Sequence, residues 1–245
     1  MNKKYEFTGE TRVLYGVTLH RIRAVRDFEL VNGSMVHAGD LGGWIENENN
    51  LSHDGSAWVM DNALVSDDAR VYGNAQVYGG AWVWGNARVY GDALVSDDAR
   101  VYGNAQVYGD ALVSDDARVW GNAWVYGNAR VYGDAQVYGN VRVYGDAQVY
   151  GDAQVGGDAR VSSDAGIATT NDYIVIGPIG SRNSFTTFYK TNSDGIYVVC
   201  GCFNGNIDQF IARVKNTHGG NRHGQTYLAA AELAKIQIGG GQDDM

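Results

Sequence analysis

The sequence is poor in the residues that loosen or staple a chain. Its 245 residues include one proline, Pro178, and two cysteines, Cys200 and Cys202. So few prolines argue against long disordered linkers. Two cysteines do not frame a disulfide-dense fold, and they fit a reducing compartment. No stretch approaches the roughly 18 apolar residues of a membrane-spanning helix. The opening "MNKKYEFTGE" has two lysines without the apolar run of a secretory signal. The expectation is a soluble, cytoplasmic protein. Residues 59–167 contain no Lys, no Glu and no His. They hold 7 Arg against 14 Asp, which is −7 of the formal −9. That balance speaks against coating duplex nucleic acid.

Glycine is abundant instead, at 34 residues. With so little proline, this points to a backbone requirement that recurs. Stepping by six from Val59 to Val161 meets Val at all eighteen positions, and the next step is Ile167. Asn or Asp follows three residues later, with Gly80 the exception, and Ala four residues later, with Val141 the exception. A helix would need apolar residues at i, i+3, i+4 and i+7, which this pattern does not supply. Plain alternation fails too, because Gly-Asn or Gly-Asp interrupts it. A short strand and a tight corner, repeated, fit: stiff Val points inward, Gly, Asn and Asp tolerate a left-handed corner, and Ala fits inside it. Three units close one triangular coil of 18 residues, and about six coils make a prism of about 29 Å.

This pattern resembles the hexapeptide repeat of left-handed parallel β-helices. The fold class that follows is an all-β solenoid with an α+β cap. Residues 1–58 form an N-terminal β cap, 59–167 the left-handed β-helix, 168–238 a C-terminal domain and 239–245 a flexible tail. In the N-terminal cap "TRVLYGVTLHRIRAV" and "FELVNGSMV" read as strands, the second bent at Asn32-Gly33, and "GGWIENENNLS" leads into the first coil. At the other end "DYIVIG", "SFTTFYK" and "GIYVVCGCF" read as three strands. "NIDQFIARVKNTHG" reads as a helix with Ile207, Phe210, Ile211 and Val214 on one face and Gly219 as its stop, and "QTYLAAAELAKIQ" as a second.

Known proteins with this repeat include acyltransferases, which use a catalytic His near the prism wall, and carbonic anhydrases, which hold a metal with three His. The five histidines here are His20, His37, His53, His218 and His223, so neither set lies where those families place it. No catalytic residue, metal or cofactor is expected. The phrases "IGPIGSR", "TTFY", "CGCF", "IDQF" and "THG" resemble a small domain of bacteriophage and prophage proteins. "AGDLGGWIENENNLS" running into the repeats is similar to proteins from the same sources. That resemblance implies a phage setting and brings no catalytic residues with it.

Residues 18 apart share a column on the prism. Tyr72, Tyr90, Tyr108, Tyr126 and Tyr144 form one, beside Arg70, Arg88, Gln106, Trp124, Arg142 and Arg160. Trp84, Tyr102, Trp120 and Tyr138 form another, flanked by Trp82, Arg100 and Arg118. The readings are stacking that stabilises the solenoid, a subunit interface, or stacking of a ligand. A corner column of Asp98, Asp116, Asp134 and Asp152 reads as solvated corner residues, with calcium as the alternative. In the C-terminal cap "IGPIGSRNS" offers backbone amides with Ser181 and Arg182, and "NTHGGNRHG" gathers His218, Arg222 and His223. Together these loops read as a basic pocket on an acidic protein, with an ordinary hairpin turn and a solvated inter-helix loop as the alternatives. Cys200 and Cys202, two apart on a strand, read as small core residues, with zinc as the alternative.

The functional expectation is a non-catalytic, phage-type binding protein, homo-oligomeric, that sequesters an anionic small molecule such as a nucleotide immune signal or blocks a host defence protein. The alternatives are a structural or assembly β-helix module without a ligand, and a hexapeptide-repeat acyltransferase.

Overall fold

A computed structural model describes residues 3–193 and 195–239. The centre is a parallel β-solenoid of three faces, made almost wholly of two-residue strands such as Arg88–Val89 and Leu94–Val95. Each strand pairs in parallel with the strand 18 residues on, as Arg88↔Gln106 and Val89↔Val107 do. All eighteen repeat Val and Ile167 are fully buried, and the corner Ala residues and Val141 are buried with them. Each buried Val contributes roughly 1.5 kcal/mol or more before chain entropy is subtracted.

The left-handed backbone falls two residues after every repeat Val. The residue there is Gly at thirteen positions, Asp at 61, 67, 97 and 115, and Ser at 163. Asp tolerates the position because its carboxylate can take an amide of the next coil. Asp115 Oδ2, for example, accepts from Gly133 N at 2.9 Å. The Asn or Asp one step further builds ladders instead. Asn104 Nδ2 donates to Asn122, Asn122 to Asn140 and Asn140 to Asp158, at 3.0–3.1 Å.

Parallel pairing begins before Val59. Trp44↔Leu64, Ile45↔Val65 and Leu51↔Val71 are in register, which adds a turn and brings the solenoid to about seven. The step from Leu51 to Val59 is eight residues, so two extra residues bulge from this first turn. The N-terminal segment "TRVLYGVTLHRIRAV" is not one strand. It folds back at Tyr15 and Gly16, both with positive φ, joining strands Tyr5–Leu14 and Val17–Ala24. Two positive φ values suit the twist of a tight hairpin, and the Tyr15 ring stacks on Trp82 at 5.6 Å. The second hairpin turns around Asn32-Gly33 as expected, pairing Phe28–Glu29 with Met35–Val36.

At the other end the sheet has four strands, not three: Tyr173–Ile179, Ser184–Lys190, Ile196–Cys200 and Phe203–Asn206. Gly201, at φ +62, starts a two-residue turn between the paired Cys200 and Phe203, so "GIYVVCGCF" is a hairpin. Two helices follow, α1 (Ile207–His218) and α2 (Arg222–Gly239). Asn206 and Gln209 cap α1 reciprocally, and Gly219 closes it. Alternation splits the strand Ser184–Lys190. Tyr189 joins the solenoid core, while Phe188 packs with Phe210, Val214 and Tyr227 of the helices. Residues 240–245, most of the tail expected to be flexible, lie outside the described residues. Among the described residues no helix is long and apolar enough to cross a membrane.

Outside the strand pairs, the coil-to-coil hydrogen bonds run one way. An N–H donates to a carbonyl of the following coil, as from Trp58 to Ala75, Tyr90 to Val107 and Asn104 to Gly121. The N-terminal end therefore presents mainly carbonyls, and the C-terminal end presents N–H groups together with the carbonyls of Gln154, Ser162 and Asp164. The two caps supply the opposite partners. Lys4, fully buried, donates from Nζ to the carbonyls of Ala57 (2.6 Å) and Gly55 (3.4 Å). The Tyr5 hydroxyl donates to Leu51 O at 2.8 Å, and Asn50 Nδ2 donates to Asp67 O and Ala69 O, each at 2.9 Å. At the far end Gln154 N, Gly156 N, Arg160 N and Ser162 N donate to the hydroxyls of Thr170, Tyr173, Thr187 and Tyr189.

Two predictions follow from this geometry. A Cβ at Gly109, φ +73, would lie 3.0 Å from Gly127 N, whereas a Cβ at Gly157, φ +71, meets nothing within 4 Å. In urea unfolding followed by circular dichroism, Gly157→Ala is expected to cost about 1 kcal/mol of backbone strain and Gly109→Ala roughly twice that. Equal costs would show that the coils yield to the added methyl. The second concerns pH. Burial chiefly, with Arg26 adding and Asp54 opposing, pushes Lys4 down from 10.5 to about 8. The unfolded chain then holds more protons between those values, so stability rises with pH across that window. Burial raises the phenols of Tyr5 and Tyr189 above their ordinary value of 10.0. Above about pH 10 the unfolded chain loses those protons first and stability falls. Urea midpoints are expected to peak near about pH 9–10, and Lys4→Met is expected to remove the rise that leads there.

Candidate ligand-binding site

The turn after Ile179, the hairpin turn at Gly201 and one side of α1 converge on a cavity of about 220 Å³. Ser181 and Arg182 come from the first turn, Cys202 and Phe203 from the second, Arg213, Thr217 and His218 from α1, and Tyr227 from α2. The sequence-predicted Ser181, Arg182 and His218 thus meet. Arg222 and His223 do not line the cavity. They open α2, where the His223 ring lies 6.2 Å from that of His218. Sequence reasoning missed Arg213, Thr217 and Tyr227. The signal was available for Arg213 and Thr217, which fall one and two helical turns after Gln209 and Phe210 on α1. Nothing in the sequence brings Tyr227 back from the second helix.

Tyr227 holds the first turn in place. Gly180 has φ +70, and a side chain there would overlap the Tyr227 ring. Burial, followed by the neighbouring Cys200 sulfur, raises the Tyr227 phenol pKa. Arg182 leans across the other turn, its Nη2 3.5 Å from Cys202 Sγ. The expected row of free amides is partly closed, because Asn183 N donates to Gly180 O. Recognition therefore falls to side chains. Cys200 and Cys202 are not two residues of one strand: Cys200 ends it, accepting from Thr186 Oγ1 at 3.2 Å, and Cys202 sits in the turn. A second hollow, of about 570 Å³, adjoins the first and shares Cys202, Phe203 and Arg213, adding Gln209 and Asn216. The two linings carry Arg182, Arg213 and His218 and no carboxylate.

The aromatic columns also form as the spacing predicts. Tyr72, Tyr90, Tyr108, Tyr126 and Tyr144 stack with centroids 4.8–5.2 Å apart and planes within 7°. Trp84, Tyr102, Trp120 and Tyr138 stack at 4.3–5.7 Å with planes within 11°. Inner rings cover each other's faces and present only edges and hydroxyls outward, which leaves an added ring no face to stack on. Burial first, then Tyr90 and Tyr126, raises the Tyr108 phenol pKa, with Arg142 opposing. Arg88 is exposed, and Arg142 lies over the Trp124 ring at 4.8 Å. Among the described residues no three His, Cys, Asp or Glu gather as a metal ion needs, at the Asp corner or elsewhere.

No curated protein matches the sequence. A family model described as YdcK Beta solenoid repeat matches residues 69–85, 87–103, 93–109, 105–121, 123–135 and 135–151. The match falls on the coils and leaves both caps outside it. In these segments the chain is similar to that family, and it is a repeat β-solenoid protein.

Proposed function

We propose that the protein is a non-catalytic binding module whose solenoid is a rigid stalk and whose C-terminal cap takes an anionic small molecule. One observation carries the reading: Arg182, Arg213 and His218 line adjoining hollows that contain no carboxylate, on a chain of formal charge −9. Guanidinium groups bind phosphate or carboxylate oxygens in pairs of hydrogen bonds. Phe203, Phe210 and Tyr227 add the apolar lining that an organic anion needs. A phosphate ester with a planar group, such as a nucleotide, has this combination. The resemblance of both caps to bacteriophage hexapeptide-repeat proteins suits sequestration of such a signal in a host cytoplasm. A structural module is the second reading, favoured by aromatic columns that stack on themselves. It predicts no ligand.

Calorimetry against nucleoside mono-, di- and triphosphates, with inorganic phosphate beside them, is the test. Binding is expected, with Arg182→Ala and Arg213→Ala each weakening it about tenfold or more. Arg222→Ala, outside the hollows, is expected to leave affinity unchanged. Silence across the panel, or binding indifferent to both arginines, would leave the structural reading.

A further inference from the structure

The tyrosine column ends differently at its two ends. At the C-terminal end Val143↔Val161 pairing sets Ser162 in the rung after Tyr144. The buried Tyr189 of the cap comes in over that rung, its hydroxyl donating to Ser162 O at 2.9 Å. At the N-terminal end Leu51↔Val71 pairing sets Ser52 in the rung before Tyr72. No aromatic ring covers Tyr72 there: among the described residues it stacks on Tyr90 alone. The two extra residues between Leu51 and Val59 carry the chain outward at this point. What results is an open hollow of about 530 Å³, with Ser52, His53, Arg70, Tyr72 and Arg88 on its wall.

The hollow has chemistry as well as shape. Arg70 and Arg88 stand on neighbouring rungs in register, both exposed, and neither guanidinium is hydrogen-bonded or ion-paired to a described residue. Two like charges held side by side favour an anion between them. The wall also carries Glu48, ion-paired with Lys3 at 3.0 Å, and Asp54. His53 is fixed by stacking on Tyr5 at 4.3 Å and by accepting the Lys4 N–H at Nδ1, while its Nε2 is buried with no hydrogen-bond partner.

We propose that this open rung is a binding site for a planar aromatic anion, whose ring continues the tyrosine stack above Tyr72 and whose carboxylate or phosphate lies between Arg70 and Arg88. Nothing in this depends on the C-terminal cavity. Each inner ring of the column is covered on both faces by its neighbours, whereas Tyr72 stacks on Tyr90 alone and borders the open hollow. A ring placed one rung above it meets the same contact that every other tyrosine makes with its neighbour.

The test uses 2-naphthoate and 2-naphthyl phosphate as probes on the intact protein, with cyclohexanecarboxylate as a non-planar control. Affinity is read by calorimetry, and near-ultraviolet circular dichroism verifies that each variant keeps its ring stack. At least one naphthyl probe is expected to bind about tenfold or more tighter than the control, and the tighter of the two identifies carboxylate or phosphate. Arg70→Ala and Arg88→Ala are each expected to weaken it about tenfold. Ser52→Tyr, which lets the chain fill its own rung, is expected to abolish binding while preserving the stack. Arg182→Ala is expected to change nothing here, which separates this site from the C-terminal one. The proposal is overturned if neither naphthyl probe outbinds the control, or if a correctly folded Ser52→Tyr protein binds them as well as the unaltered chain.

Discussion

A stack of parallel coils whose hydrogen bonds point along its axis cannot end without help, and the rest of the molecule follows from that constraint. The coil-to-coil bonds outside the strand pairs point forward, so one end is rich in acceptors and the other in donors. A buried, unpaired peptide group costs about 1–3 kcal/mol, and several such groups at each mouth would undo the burial of a comparable number of valines. The N-terminal cap answers with donors, Lys4, Tyr5, Asn50 and Arg12, and the C-terminal cap with hydroxyl acceptors from Thr170, Tyr173, Thr187 and Tyr189. A buried lysine is costly in an apolar core. At a mouth ringed by carbonyls it is the natural plug, and its depressed pKa reflects what that position demands.

The same constraint divides the repeat into fixed and free positions. Val, the residue two after it and the Ala are set by the core, the left-handed corner and the tightness of the turn. The residues before and after each Val point outward and vary. They are not independent, because each sits about one strand spacing above a copy of itself. Aromatic rings in such a column stack, and amides form ladders. Carboxylates gain little from neighbouring carboxylates, which fits their place on the corners, where water reaches them. The four arginines at 70, 88, 142 and 160 share one face, and the Asp-rich corner at 98, 116, 134 and 152 lies on the opposite edge. The corner that follows that face carries Asp92, Asp110, Asp146 and Asp164, so carboxylates border the arginines as well.

How much of this could be read from the sequence depended on how local each rule is. The six-residue period announces the coils because every coil obeys the same short-range rules, and the aromatic columns follow by counting eighteens. The caps have no period to count. Tyr15-Gly16 hides a hairpin because Tyr is an uncommon left-handed residue, held there by stacking on Trp82 from a coil 67 positions away. Gly201 hides a second, since "GCF" offers one glycine between residues that suit a strand. The first turn was missed because its eight-residue step breaks the clock that found the others. In the C-terminal site the loops drew attention through Gly, Arg and His. Arg213 sat unremarked on a helix whose apolar face had already explained it.

A perfect repeat is a poor place to build a binding site, and this explains where the hollows lie. Recognition needs unlike groups to converge on one point, whereas inside a solenoid the nearest neighbours of a side chain are copies of it, and the wall they form is flat. Convexity at the corners and flatness on the faces leave no depth. Depth appears where the period stops. It appears at the first turn, where two extra residues leave a rung uncovered, and in the C-terminal cap, where two helices and two tight turns meet. Both places bring together arginine, histidine and aromatic rings that the coils hold in separate columns. The solenoid's contribution to either site is stiffness: it fixes the spacing of Arg70, Arg88 and Tyr72 to a strand repeat, and it gives the far sheet a floor through Tyr189 and Val199. A ligand at either end then meets groups already in position, with little ordering left to oppose its binding.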